Sequence, residues 1–206
     1  MSKLIQTLFA GAAALGVLHL SSAGAAPPAQ AADFEAQAVL LVAHPEFRDP
    51  LWLQTVLLAA PLPDGGHVGV IINRPTSARL GELFPGHASS QKIADPVHFG
   101  GPFSSDALVA VVRSDDSPGA GSLALGGELF LAIGGRTIDR VIEQTPQAAR
   151  YYVGLVVWQP GELQTELDKG LWSVREADVH TVFRKETKEL WQELSLPARA
   201  LRVRAP

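Results

Sequence analysis

Asn73 and Arg74 are the two side chains of this sequence best placed to meet a ligand. Arginine offers a planar fork of donors that matches a carboxylate or phosphate, and asparagine can donate and accept beside it. Both follow the run Gly65-Gly66-His67-Val68-Gly69-Val70-Ile71-Ile72 without a spacer, so they are expected at the mouth of a packed core. Pro75 disfavours the α region for Arg74 and has no N–H for a ladder, which predicts that the chain leaves the sheet here. The same pair has a plainer use. Asparagine in a turn commonly bonds neighbouring backbone, and Arg74 can pair with a local carboxylate to close it. The residue types and spacing fit both readings.

Gly100-Gly101-Pro102, followed by Ser104-Ser105-Asp106, offers a second candidate. Its backbone N–H groups can form a nest for an anion, although proline removes one donor and no lysine or arginine follows closely. A tight turn is the competing account. His44, His67, His87, His98 and His180 show no i, i+4 pair and no HExxH. A metal would need His44 and His98 to converge with Asp49 or Asp106 from separate loops. No metal and no cofactor is therefore assigned. There is no Gly-x-Ser-x-Gly elbow, and Gly119-Ala120-Gly121 lacks the spacing of a dinucleotide fingerprint. A hydrolase could be assembled only from Ser104 or Ser105 with a distant His44 or His98. With no catalytic constellation recognisable, the chain is expected not to be an enzyme.

The whole chain sets bounds on these sites. At 206 residues, 47% hydrophobic and 18% charged, it is expected to fold as one domain. A net charge of −4 without clustered basic residues argues against a nucleic-acid partner. The absence of cysteine excludes disulfides and thiol chemistry. Lys3, the uncharged run 4–20 and Ala-x-Ala patterns at 23–25 and 29–31 have the layout of a secretory signal peptide. Residues 1–31 are accordingly read as signal peptide and linker, and 32–206 as a single domain. The mature chain is expected to be periplasmic or secreted, with no stable membrane span after cleavage. It would be cytoplasmic if the leader is misread.

Coarse patterning places the elements. Residues 39–42 read as a strand buried on both faces, 52–60 as a second strand, and 68–72 as a third pairing with it antiparallel. Thr76 or Ser77 is expected to cap a short helix carrying Leu80, Leu83 and Phe84. Strands follow at 97–99, 108–112, 151–158 and 172–174, with 123–133 ambiguous. Helices are expected at 136–144 and 161–168, and one C-terminal helix carries Phe183, Leu190, Trp191 and Leu194 and is closed by Pro197. The four tryptophans sit in apolar runs and are expected in the core. Together these predict an α+β fold, a strongly curved mixed sheet with short flanking helices.

These residues resemble the YqgE/AlgH family of bacterial proteins. The resemblance runs through Ala43-x-Pro45, Asp49-Pro50-x-Trp52, Thr55-Val56 and Gly69-Val70-Ile71-Ile72-Asn73-Arg74-Pro75. It resumes at Gly100-Gly101-Pro102 and ends with Trp158-x-Pro160-Gly161-x-Leu163-x-x-Glu166-Leu167 and Trp172. It implies a sheet curled into a pseudo-barrel. Members are mostly uncharacterised, the family's regulatory label concerns alginate production, and no catalytic residues come with it. The sequence departs from the family pattern in its leader, at Ala59-Ala60-Pro61, at Glu162 and at Val157. The leading expectation is a non-catalytic binding or regulatory protein of the cell envelope. Asn73, Arg74, Gly100 and Gly101 would form its recognition face for a small anionic ligand or a protein partner. A transcriptional regulator and a hydrolase using loop Ser and His are the alternatives.

Overall fold

The computed structural model describes residues 37–196. The expected leader and linker, and Pro197, lie outside them. The first three strands, β1 (Val39–Ala43), β2 (Val56–Pro61) and β3 (His67–Ile71), form an antiparallel meander. Their lack of alternation has a direct cause. Leu40, Val56, Leu58 and Val70 enter one core, while Leu41, Leu57, Ala59 and Ile71 enter another on the opposite face. Successive strand residues point to opposite faces, so a strand between two cores must be apolar throughout.

The chain continues through β4 (Pro75–Arg79), α1 (Leu80–Leu83), β5 (Pro96–Phe99), β6 (Phe103–Arg113), β7 (Ser122–Gly126) and β8 (Leu129–Ala132). It ends with α2 (Gly135–Gln144), β9 (Ala149–Trp158), α3 (Glu162–Asp168), β10 (Trp172–Glu176), α4 (Val179–Val182) and α5 (Leu190–Ser195). The sheet order is β10-β1-β2-β3-β9-β6-β8-β7, and Ala38 N–H donates to Leu125 O at 3.0 Å, bringing β7 back to the start of β1. The mixed sheet therefore curls into a half-barrel with a few short helices; the strand and turn pattern predicts the strong curvature, and the family resemblance implies the curl.

β9 is the branch of this sheet. Along one edge it pairs antiparallel with β6. Its other edge is shared: β3 takes the C-terminal half through His67↔Trp158 and Gly69↔Val156, and β5 runs parallel to the N-terminal half through His98↔Tyr152. The chain passes from β5 to β6 across β9 at Gly100-Gly101. A Cβ on Gly100 would lie 2.2 Å from Gly154 O, and one on Gly154 would lie 2.2 Å from Gly101 O. Only backbone fits in this crossing.

The Trp158 and Trp172 blocks also have a physical basis. Both rings are buried, and Glu166 Oε2 accepts from Trp158 Nε1 at 3.0 Å and Trp172 Nε1 at 2.7 Å. One carboxylate on α3 thus satisfies two indoles, while Leu163 of the same helix is fully buried. Trp191 Nε1 donates to Ala43 O at 2.8 Å and docks α5 on β1.

The structure corrects four expectations. The second strand begins at Val56 rather than Trp52, because residues 51–54 form turns in which Gln54 has a φ of 53°. Residues 75–79 are a strand, not a helix cap. Thr76 Oγ1 donates to Val97 O at 2.7 Å, and Pro75 is tolerated because β4 is an edge strand pairing only with β5. α1 is a single turn that buries Leu80 but leaves Leu83 42% and Phe84 41% exposed. The C-terminal helix is split into α4 and α5, since the carbonyls of Val182 and Arg184 are taken by the Arg150 side chain. The ambiguous stretch 123–133 resolves into the β7–β8 hairpin, with Gly126 and Gly127 turning it at positive φ.

Gly100→Ala is expected to destabilise the fold by at least about 3 kcal/mol, since a methyl group must displace backbone rather than a flexible side chain. Gly86→Ala, where nothing lies within 4 Å of the new Cβ, should change stability by less than about 0.5 kcal/mol. Urea unfolding of both variants measures the difference.

Candidate functional site

A cleft of about 940 Å³ opens where the turn before β2, the exit of β3, the start of β5, Arg150 of β9 and the segment from Lys185 to Gln192 meet. Asn73, Arg74, His98 and Arg150 all line it.

Asn73 braces the neighbouring strand start. Its Oδ1 accepts from Val56 N–H at 2.9 Å, and its Nδ2 donates to Gln54 O at 2.8 Å. Both ends of the amide thus serve backbone groups that the turn cannot pair internally. Arg74 acts on the same turn. Its Nη2 donates to Leu51 O, to Leu53 O at 3.2 Å and to Thr55 Oγ1 at 2.9 Å. The carboxylate expected for Arg74 is replaced by these oxygens, because the turn supplies carbonyls at the reach of the guanidinium. Arg74 Nε and Nη1 have no hydrogen-bond partner among the described residues. Burial holds this guanidinium below its ordinary pKa.

Arg150 forms the deepest cation. It is 9% exposed, lies over the Phe183 ring at 6.0 Å, and donates from Nη1 to Val182 O and from Nη2 to Arg184 O, both at 2.8 Å. These carbonyls end α4, where a cation satisfies acceptors that the helix has left open. No salt bridge to Arg74 or Arg150 forms among the described residues. Two guanidinium groups therefore line one cleft with backbone dipoles and a hydroxyl, but no carboxylate, as partners.

His98 sits beside them, 4% exposed, with its ring 5.5 Å from that of Tyr152. Burial, then the charge of Arg150, pushes its pKa down to about 4, against smaller opposing effects of the Pro96 carbonyl and Asp95. The ring is therefore neutral at pH 7. Its Nδ1 lies 3.2 Å from Pro96 O, which can only accept, so Nδ1 carries the proton and Nε2 the lone pair. Tyr152 Oη is sealed in the interior without a well-formed hydrogen bond. Desolvation raises its pKa to about 12, and nearby Arg150 only partly offsets this.

The other sequence candidates lie elsewhere. Gly100 and Gly101 are buried in the β9 crossing, where Gly100 N–H donates to Val153 O and Gly100 O accepts from Ile71 N–H, both at 2.8 Å. They shape the wall from which His98 projects but do not line the cleft. Ser104, Ser105 and Asp106 are exposed on the irregular part of β6, and His44 is exposed with its Nδ1 accepting from Glu46 N–H. No hydrogen bond joins Ser104 or Ser105 to His44 or His98, and no group of three metal-ligating side chains occurs, among the described residues. Arg150 lines the cleft without belonging to any motif or turn pattern in the sequence. Its signal is a charge two residues before Tyr152 inside an otherwise apolar strand, which places both on one face.

Comparisons with known proteins agree with this architecture. A family model described as AlgH-like matches residues 40–198. A UPF0301 protein of Thermobifida fusca is 30% identical over 168 residues, covering 75% of this chain and 83% of that protein. Another, of Methylococcus capsulatus, is 31% identical over 157 residues, covering 74% and 86% respectively. The solution structure of the AlgH protein of Pseudomonas aeruginosa superposes with a TM-score of 0.65 at 26% identity, covering 82% of this chain and 94% of that one. A crystal structure from Corynebacterium diphtheriae, 18% identical with a TM-score of 0.65, shares the fold over 79% of this chain and 87% of its own.

Asn73→Ala removes both bonds to the turn and is expected to cost about 1–3 kcal/mol in chemical denaturation, because two backbone groups lose their partners. The depressed pKa of His98 also sets a pH dependence. Between its ordinary 6.5 and about 4, the unfolded chain binds a proton that the folded chain excludes. Stability from this residue is complete above pH 6.5 and falls as pH drops toward 4, by up to about 3 kcal/mol. His98→Gln should flatten that part of the stability–pH profile relative to the unsubstituted protein.

Proposed function

The chain belongs to the AlgH-like family, and from that premise we propose that it is a non-catalytic binding protein of the cell envelope whose cleft takes a small anionic ligand. One observation carries the reading: Arg74 and Arg150 share a cleft without a carboxylate partner among the described residues. Withdrawing a guanidinium from water costs several kcal/mol, and backbone carbonyls compensate only partly because they bring dipoles rather than net charge. A carboxylate or phosphate supplies the missing charge. The rim contains Lys185 and Lys188 but also Asp95, Glu186 and Glu189. Selection for an anion therefore comes from the arginines, not from a uniformly basic surface.

The envelope location rests on the leader composition at residues 1–31, and a regulatory role would follow from ligand-dependent order of the segment that Arg150 anchors. A hydrolase built from Ser104 or Ser105 draws no support from the geometry described. DNA reading draws none from the net charge of −4.

Thermal unfolding in sodium phosphate and in sodium chloride at matched ionic strength tests the site. The unsubstituted protein should gain stability in phosphate, and Arg150→Lys, which keeps the charge but not the fork, should lose most of that gain. An equal phosphate effect in both proteins would remove Arg150 from the site. N-terminal sequencing of the protein from an exported fraction, with a start near Ala26 or Ala32, checks the compartment.

A further inference from the structure

We propose that the ligand of this cleft carries a hydrogen-bond donor, a hydroxyl or amide N–H, close to its anionic group, and that His98 Nε2 selects for it. The inference deepens the anion-site reading and rests on it.

The argument begins with the backbone. β5 runs parallel to β9 in a register that sets His98 opposite Tyr152, two residues along the strand from Arg150. The ring cannot turn freely there, because it packs against Tyr152 and its Nδ1–H is held by Pro96 O. The tautomer is thereby fixed, and Nε2 is left as an acceptor. No N–H or O–H of the described residues donates to Nε2. Unlike the hydroxyls of Tyr151 and Tyr152, Nε2 is not among the sealed polar atoms, and His98 lines the cleft.

The neighbouring groups decide what can approach it. Arg150 is close enough to act on the imidazole electrostatically, and Arg74 lines the same space. A bare anion would meet the guanidinium groups with favourable charge but would face the Nε2 lone pair with another lone pair. A molecule that pairs an anionic oxygen with an adjacent O–H or N–H satisfies both kinds of group at once. Hydroxycarboxylates and N-acylated amino acids have this pattern; simple carboxylates do not. A site built to accept a hydrogen bond rejects an analogue lacking the donor more strongly than it rejects a change in apolar size. His98 is thus a specificity-determining residue, not a charge donor.

Titration of the ¹⁵N-labelled protein with acetate and with glycolate, at pH 7.5 and constant ionic strength, tests the proposal by NMR. The two anions have the same charge and differ by one hydroxyl. Glycolate is expected to bind roughly 10-fold tighter, the ratio that one well-formed hydrogen bond supplies. It should also shift the His98 Nε2 resonance, while acetate leaves that resonance near its starting position. His98→Asn keeps a donor for Pro96 O but lacks an atom at the Nε2 position, and it should bind both anions equally. His98→Gln returns an acceptor to that position and should recover part of the preference. Equal binding of acetate and glycolate by the unsubstituted protein overturns the role of His98 while leaving the anion site intact. Binding of neither overturns the site and this inference together.

Discussion

The backbone crossing at Gly100, Gly101 and Gly154 is the contact on which the remaining architecture depends. β9 must serve three neighbours, and two of them, β3 and β5, share one edge. The chain can pass from β5 to β6 over that strand only if no side chain intervenes. A Cβ at Gly101 would lie 2.4 Å from Leu155 O, well inside contact distance. Close approach also lets Gly100 bond two strands at once, accepting from Ile71 N–H and donating to Val153 O. The crossing thereby fixes the end of β3 relative to β5. It sets Arg74 directly beside the end of β5, where Arg74 O accepts from Phe99 N–H at 2.9 Å and Pro75 pairs with His98.

Side chains brace the cleft by capturing carbonyls that secondary structure has left open. Asn73 and Arg74 gather the oxygens of Leu51, Leu53 and Gln54, while Arg150 gathers those of Val182 and Arg184. Neither segment could be regular where it is held: the first carries Gln54 at positive φ, and the second separates α4 from α5. The two walls of the cleft are therefore pinned by the same guanidinium groups that line it. The structural role of Arg74 and Arg150 leaves room for the proposed ligand contact, because a guanidinium has five N–H donors and each wall uses only some of them.

Much of the fold was legible because its cause is local. The apolar run 39–42 reads as a strand buried on both faces and 151–158 as a long strand, and Ile138, Val141 and Ile142 mark one face of α2, where all three are buried. The short helix 161–168 was legible from Leu163 and Leu167. Long-range hydrogen bonding explains what was not. Nothing between Trp52 and Thr55 indicates that residues 73 and 74 will claim the turn's carbonyls and delay β2. Nor does the stripe from Phe183 to Leu194 indicate that an arginine more than thirty positions earlier will divide it. The site was half visible for the same reason. Asn73 and Arg74 follow a buried strand directly, whereas Arg150 becomes part of the site only through the β5–β9 register.

The energetics limit what the arginines can achieve by charge alone. A unit charge 4 Å from a guanidinium near a protein surface gains about 4 kcal/mol before desolvation, and that desolvation takes back a large share. Millimolar affinity already requires about 4 kcal/mol net. A small bare anion is thus held weakly even by two guanidiniums, and charge provides attraction without much discrimination. Further affinity must come from the rest of a cleft of about 940 Å³, which exceeds the size of any simple anion. Its lining includes the polar Gln54, Gln192 and the buried Thr187 as well as the apolar Leu53 and Trp191. On the proposed reading, a ligand that fills this space is therefore larger than the anionic group that would meet the arginines.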